Sequence, residues 1–205
     1  VVDHVVAVLA LALALAASSA SRTAAETACG TPAECFAELG RRQRDVQSVE
    51  ARFHQTKRIA LLREPLESSG RFSFARDRGV RWEVEKPEPM VIEIAGEQLR
   101  AGPPGELRRV EAGSSADVLA QMTGLFTGAA KREDFTISSG RSPGGIRLVP
   151  RDPSLARIVS AIELEIESAS GAPRSVEIEE ASGDRTRIEL TEVRIEPSAA
   201  AGTPR

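Results

Sequence analysis

The chain is 205 residues long with a net charge of −3, and 28% of its residues are charged, acids and bases interspersed. It has no basic stripe of the kind that binds nucleic acid, and beyond the amino-terminal segment no apolar run reaches the ~20 residues of a membrane-spanning helix. Six Phe, one Trp and no Tyr leave little material for stacking bases or sugars, so each aromatic on an apolar face is worth placing.

The first residues read as an export signal. Val5 to Ala17 is an apolar run of signal-peptide length, and Ser18 and Ala20 stand at −3 and −1 of a cleavage after Ala20, although the chain begins at Val1 and has no Lys or Arg ahead of the run. The expected division is a leader over 1–20, one domain over 21–197 and a frayed tail over 198–205. Cys29 and Cys35 are the only cysteines, and in an oxidising compartment they are expected to close a short loop. Lipid attachment at Cys29 is the other reading, disfavoured by the acidic Glu26-Thr27-Ala28 that precedes it. Two Cys and His54 are too few ligands for a metal site.

Thr31-Pro32-Ala33-Glu34 predicts a helix start, with Thr as N-cap, Pro at the first position and Glu at the third. Phe36, Leu39, Val46 and Val49 carry a helical apolar stripe over about 32–48. From Val49 the period becomes two: Val49, Ala51, Phe53 and Gln55 share one face, and the charged residues with His54 take the other. A second strand over about 66–75 holds Phe72 and Phe74 on one face, and counting on by two brings Arg76 to that same face. A cation among phenylalanines is costly to bury without a partner. Val80, Trp82 and Val84 alternate in the next strand, followed by strands over 90–95, 98–100 and 106–110.

Then the period changes again. Behind a Ser114 or Ser115 cap, Val118, Leu119, Met122, Leu125 and Phe126 form a one-sided apolar helix over 115–127. Strands resume over 135–138, 145–149, 156–167, 174–180 and 185–195. Ile162, Leu164 and Ile166 oppose Glu163, Glu165 and Glu167, read as an outward row facing water. Ser182-Gly183-Asp184 reads as a hairpin turn, and the parity of apolar residues shifts between Leu190 and Val193, the mark of a β-bulge.

About ten antiparallel strands with one apolar face must curl or be covered. The expected fold is mainly β (α+β): a strongly curved sheet or unclosed barrel, its concave face covered by the helices near 32–48 and 115–127. His54 lies on the charged face without a partnered Ser or Cys, the glutamates point outward, and no phosphate loop is present, so no catalytic residues are expected. The concave face, with Phe53, Phe72, Phe74, Trp82, Ile92, Ile94, Ile162 and Leu164, is either a packed core or an apolar ligand cavity. Patterning reads the same in both cases.

The ordered set Phe53-x-Gln55, Gly70-x-Phe72, Arg76, Val80-Arg81-Trp82, Pro87, Gly96, Leu99 and Leu148-Val149-Pro150, over about 33–196, resembles the LolA periplasmic lipoprotein carriers. That resemblance implies an unclosed barrel with a helical lid around an acyl-chain cavity, no cofactor and no catalysis. It also implies a monomer that takes acylated lipoprotein, or another lipid cargo, from an inner-membrane exporter to an outer-membrane acceptor. Arg76 would bond backbone carbonyls of the lid and hold the empty cavity shut, with Val118, Leu119, Met122, Leu125 and Phe126 forming the lid. The chain departs from the family pattern at Ala95 and Arg100, which leaves the cargo open among lipoprotein, glycolipid and pigment lipid. The alternative is a lipid-sensing regulator of the envelope, similar in fold to RseB.

Overall fold

The computed structural model describes residues 30–96, 98–110, 130–166 and 173–198. The expected leader, Cys29, the helix over 115–127 with its five apolar residues, Glu167 and the tail from 199 lie outside these residues.

Helix α1 (Pro32–Arg44) begins as its sequence dictates. Thr31 Oγ1 accepts from the Glu34 amide at 3.3 Å, and Glu34 Oε2 accepts from the Thr31 amide at 2.9 Å. Two otherwise unpaired donors of the first turn are thereby satisfied. The helix buries Cys35, Phe36, Leu39 and Gln43 and ends four residues before the expected boundary, because Asp45 leaves helical geometry and its amide closes on the Arg42 carbonyl. Val46 therefore opens a strand instead of a final helical turn.

Eleven strands among the described residues form one antiparallel sheet: β1 (Val46–Arg58), β2 (Leu66–Ala75), β3 (Gly79–Lys86), β4 (Met90–Ala95), β5 (Gln98–Gly102), β6 (Arg108–Arg109), β7 (Phe135–Ser139), β8 (Ile146–Pro150), β9 (Val159–Ile166), β10 (Pro173–Glu180) and β11 (Arg185–Pro197). Their order is β6-β5-β4-β3-β2-β1-β11-β10-β9-β8-β7. The sheet curves without closing, and its two edge strands, β6 and β7, are consecutive in the chain. Both edges are short, which limits unwanted pairing.

α1 runs from β7 and β8, which it packs against, to the start of β1, so it crosses the concave side. Its 13 residues span about 20 Å, close to the width of the strands it bridges. Phe36 meets Phe135 edge-on at 5.9 Å. A short helix, α2 (Pro153–Ala156), precedes β9 where a longer strand was expected; Asp152 Oδ1 caps it, accepting from the Ser154 and Leu155 amides at 2.9 Å.

The parity shift near the carboxyl end is a bulge. Pairing steps from Glu50↔Arg194 to Arg52↔Thr191, and Glu192 takes φ 52°. The Ser182-Gly183-Asp184 turn joins β10 to β11, with Gly183 at φ 91° donating to the Glu180 carbonyl.

Candidate functional site: an apolar concave face with a polar end

Pairing carries the alternation of each strand onto one shared face. Val49 lies opposite Phe74, Ala51 opposite Phe72, Phe72 opposite Trp82, and Trp82 opposite Ile92. On the other half, Leu148 faces Ile162 and Ile178 faces Ile162. Phe53, Phe72, Phe74, Trp82, Ile92, Ile94, Ile162 and Leu164 all belong to one apolar cluster, and none is more than 6% exposed.

Trp82 is its centre. Phe53 stacks on it with ring centroids 3.9 Å apart, and Phe72 meets it edge-on at 5.8 Å. Phe53 sits two strands away and reaches the indole across Gly70, its partner on β2. A side chain at Gly70 would also collide with the main chain, since a Cβ there would lie 1.9 Å from the Glu83 carbonyl oxygen.

Arg76 is not the buried cation that alternation predicts. β2 ends at Ala75, so Arg76 turns out of the inner row and is exposed. Its guanidinium grips the carboxyl end of α1 and the residues after it: Nε donates to the Val46 carbonyl at 2.8 Å, and Nη2 donates to the Gln43 and Arg44 carbonyls at 2.7 Å each. These are the carbonyls a helix leaves without internal partners, and they carry the negative end of its dipole. Arg76 thus ties α1 to the β2–β3 turn.

The glutamate row also differs from expectation. Glu163 is 6% exposed rather than solvated. It pairs directly with Glu177 across β9–β10 and with Arg147 across β8–β9. Like charges in register repel, and cations from neighbouring segments resolve the conflict. Arg147 donates to Glu163 at 2.6 Å and to Glu179 at 2.7 Å, and Arg141 donates to Glu177 at 2.9 Å and also to Glu179. Glu165 accepts from Arg187 at 2.8 Å, Ser175 at 2.8 Å and Ser142 at 2.9 Å. The Arg187 bond chiefly holds its carboxyl down at about 2, with the two hydroxyls adding to the effect against the opposing influence of burial. This network links β8, β9, β10 and β11 across the outer face. A cleft of about 780 Å³ is lined mostly by polar residues of that face, among them Glu50, Ser73, Arg81 and Glu93.

At one end the inner row of β1 becomes polar. Gln55 and Lys57 follow Phe53 at steps of two and are 6% and 8% exposed. Lys57 is not among the residues assigned to this face from sequence, although its odd-numbered parity with Phe53 and Gln55 was the available signal. Lys57 Nζ lies 2.9 Å from Glu180 Oε1. His54 is exposed on the outer side. Cys35 is buried and disulfide-bonded, and Cys29 is the only other cysteine in the sequence.

What this arrangement can do chemically follows from its materials. The inner face offers apolar contact and no ionic chemistry along Phe53, Trp82 and Ile162, and among the described residues no group of three His, Cys, Asp or Glu converges to hold a metal. Among the described residues no ladder joins β6 to β7, so the sheet is unclosed there.

An outer-membrane lipoprotein carrier protein of Dechloromonas aromatica (strain RCB) is 24% identical over 163 residues, covering 78% of this chain and 77% of that protein. A solved LolA superfamily protein from Nitrosomonas europaea aligns with a TM-score of 0.42 at 11% identity, over 80% of this chain and 95% of that one. The complex of MucA and MucB from Pseudomonas aeruginosa aligns with a TM-score of 0.36 at 16% identity, over 85% of this chain and 58% of that one. The family model described as outer membrane lipoprotein carrier protein LolA matches residues 44–203, well over half of the sequence, and the chain belongs to the LolA family.

Proposed function

We propose that this protein is a periplasmic carrier that takes up the acyl chains of a lipoprotein, or of a related amphiphilic lipid, on its concave apolar face. It receives cargo from an inner-membrane exporter and yields it to an outer-membrane acceptor, as a monomer and without covalent chemistry. Residues 21–197 act as one lipid-binding domain once the leader is removed, the Cys29–Cys35 bridge pins its start, and Val118, Leu119, Met122, Leu125 and Phe126 cover the acyl chains.

The observation that carries this reading is the apolar cluster around Trp82 on the inner face of an unclosed sheet, in a chain of the LolA family. Each acyl CH2 buried there contributes about 0.8 kcal/mol. A chain of ordinary length therefore gains enough to part packed side chains and displace a lid. Arg76 sets how readily α1 moves with that opening.

Trp82 is the only tryptophan in the sequence, so its emission reports on the interior alone. The test is titration with a synthetic diacylated lipopeptide, read by Trp82 fluorescence and by native mass spectrometry. The expected result is a one-to-one adduct with a changed emission, while the same peptide without acyl chains does neither. No adduct and no change would overturn the carrier reading.

A further inference from the structure

Polar groups buried beside the apolar face are placed too consistently to be packing residue. Gln55 lies opposite Ser68 on β2, Lys57 opposite Thr186 on β11, and Thr186 opposite Ile178, two residues before Glu180 on the same face of β10. Four adjacent strands thus converge five polar side chains at one end of the inner face, directly beyond Phe53. Thr186 is fully buried, Gln55 and Lys57 are more than nine-tenths buried, and the side chains of Lys57 and Glu180 are each 10% exposed.

Among the described residues, Gln55 Oε1, Ser68 Oγ and Thr186 Oγ1 have no hydrogen-bond partner. Glu180 Oε1 also lacks an aligned hydrogen bond, its 2.9 Å contact with Lys57 being ionic only. Buried polar atoms left unpaired are destabilising, as is a buried ion pair whose remaining sites are unfilled. Core positions of this kind are cheaper as Leu or Val, so five polar side chains gathered there point to a ligand that completes them.

The chemistry of the set defines that ligand. Two carboxyl- or amide-type oxygens, Gln55 Oε1 and Glu180 Oε1, accept only, so the ligand must donate hydrogen bonds. Two hydroxyls and an ammonium can donate, so it must also accept. Lys57 and Glu180 cancel in charge, which leaves no net attraction for an anionic group. A hydroxyl both donates and accepts and carries no charge. Resting on the carrier reading above, we infer that the cluster formed by Gln55, Lys57, Ser68, Glu180 and Thr186 is a head-group site for an uncharged, hydroxyl-bearing end of an acylated ligand, of the glyceryl type, with the acyl chain lying along Phe53 and Trp82.

The experiment compares two probes with the same chain: 1-monopalmitoylglycerol, and the lysophosphatidic acid with a palmitoyl chain, whose phosphate is anionic. Binding to the full-length mature protein is followed by Trp82 emission. The wild type should bind the glyceride at least roughly tenfold more tightly. The double variant Gln55→Leu with Thr186→Val should lose that preference, through roughly tenfold weaker glyceride binding with the anionic probe little changed. Without ligand, the same variant should melt higher than wild type, since unpaired polar atoms have been replaced by apolar ones; a purely structural role would lower the melting temperature. Equal binding of both probes by wild type, or a variant that binds the glyceride as wild type does, overturns the head-group site and leaves the carrier standing. If neither probe binds the wild type while the diacylated lipopeptide does, the head-group site falls and the carrier stands; if none of the three binds, both readings fall.

Discussion

Replacing Arg76 with Ala removes three hydrogen bonds of 2.7–2.8 Å from a charged donor to the carbonyls of Gln43, Arg44 and Val46. Buried bonds of that type contribute about 1.5–3 kcal/mol each. Arg76 lies at the surface, where water competes for the same carbonyls, so each is discounted to about 0.5 kcal/mol. Placing a cation at a helix carboxyl terminus adds about 0.5 kcal/mol. The sum, about 2 kcal/mol, corresponds to a fall of about 4–8 °C in melting temperature for a domain of this size. Thermal denaturation by circular dichroism measures it, and hydrogen exchange should localise the loss to amides around Asp45 and Val46. Arg76→Lys keeps the charge but lacks the planar fork that reaches three carbonyls, so it should recover no more than half of the loss. A melting temperature within 1 °C of wild type, or full recovery with Lys, would refute the claim that the fork holds α1.

Other substitutions probe the interior and the outer network. Phe53→Ala strips the stacking partner from Trp82 and should cost about 3–5 kcal/mol in urea denaturation, with a red shift in emission; a cost below about 1.5 kcal/mol would mean that the face is loosely packed. Gly70→Ala drives a Cβ against the Glu83 carbonyl and should destabilise by about 3 kcal/mol, whereas a change within 0.5 kcal/mol would show that the strand can shift. Glu165 titrates at about 2 instead of 4.5, so its contribution is complete above the unfolded value and disappears as pH falls from about 4.5 towards 2. Arg187→Gln should therefore be less stable than wild type near neutrality by about 1 kcal/mol, after allowance for solvent screening, with the gap closing by about pH 2. A gap that persists at that pH would assign the effect to packing.

Much of this fold was legible because local chemistry and tertiary packing agree. The Thr31–Glu34 capping box, the period-two alternation of β1 to β4 and the bulge between Leu190 and Val193 are all written in residue order. So was the aromatic face, since Phe53, Phe72, Trp82 and Ile92 follow strand parity. Where reading failed, neighbours distant in sequence decided the outcome. Parity carried Arg76 inward only on the assumption that β2 continued, and the turn at Ala75 took it out to α1. Glu163 looked solvent-facing from its own strand, but Arg141 and Arg147 come from β8 and the loop before it. Lys57 kept the inward parity of its strand, yet a lysine reads as exposed until a buried Glu180 is known to face it.

The strand order has a consequence for how the chain reaches its native state. Among the described residues, every pairing in the sheet joins strands adjacent in sequence except one, the ladder of β1 and β11 running from Val46↔Pro197 to Arg58↔Arg185. β1–β6 and β7–β11 are each a simple meander, and nearly all of the long-range cost of the topology is concentrated in the seam between them. A chain whose ends were joined at that seam and which opened instead between β6 and β7 would be an uninterrupted meander with only local pairings. Because folding rate falls as contacts become more distant in sequence, each half can form early, and the central seam, where the first and last strands meet, sets the pace of assembly.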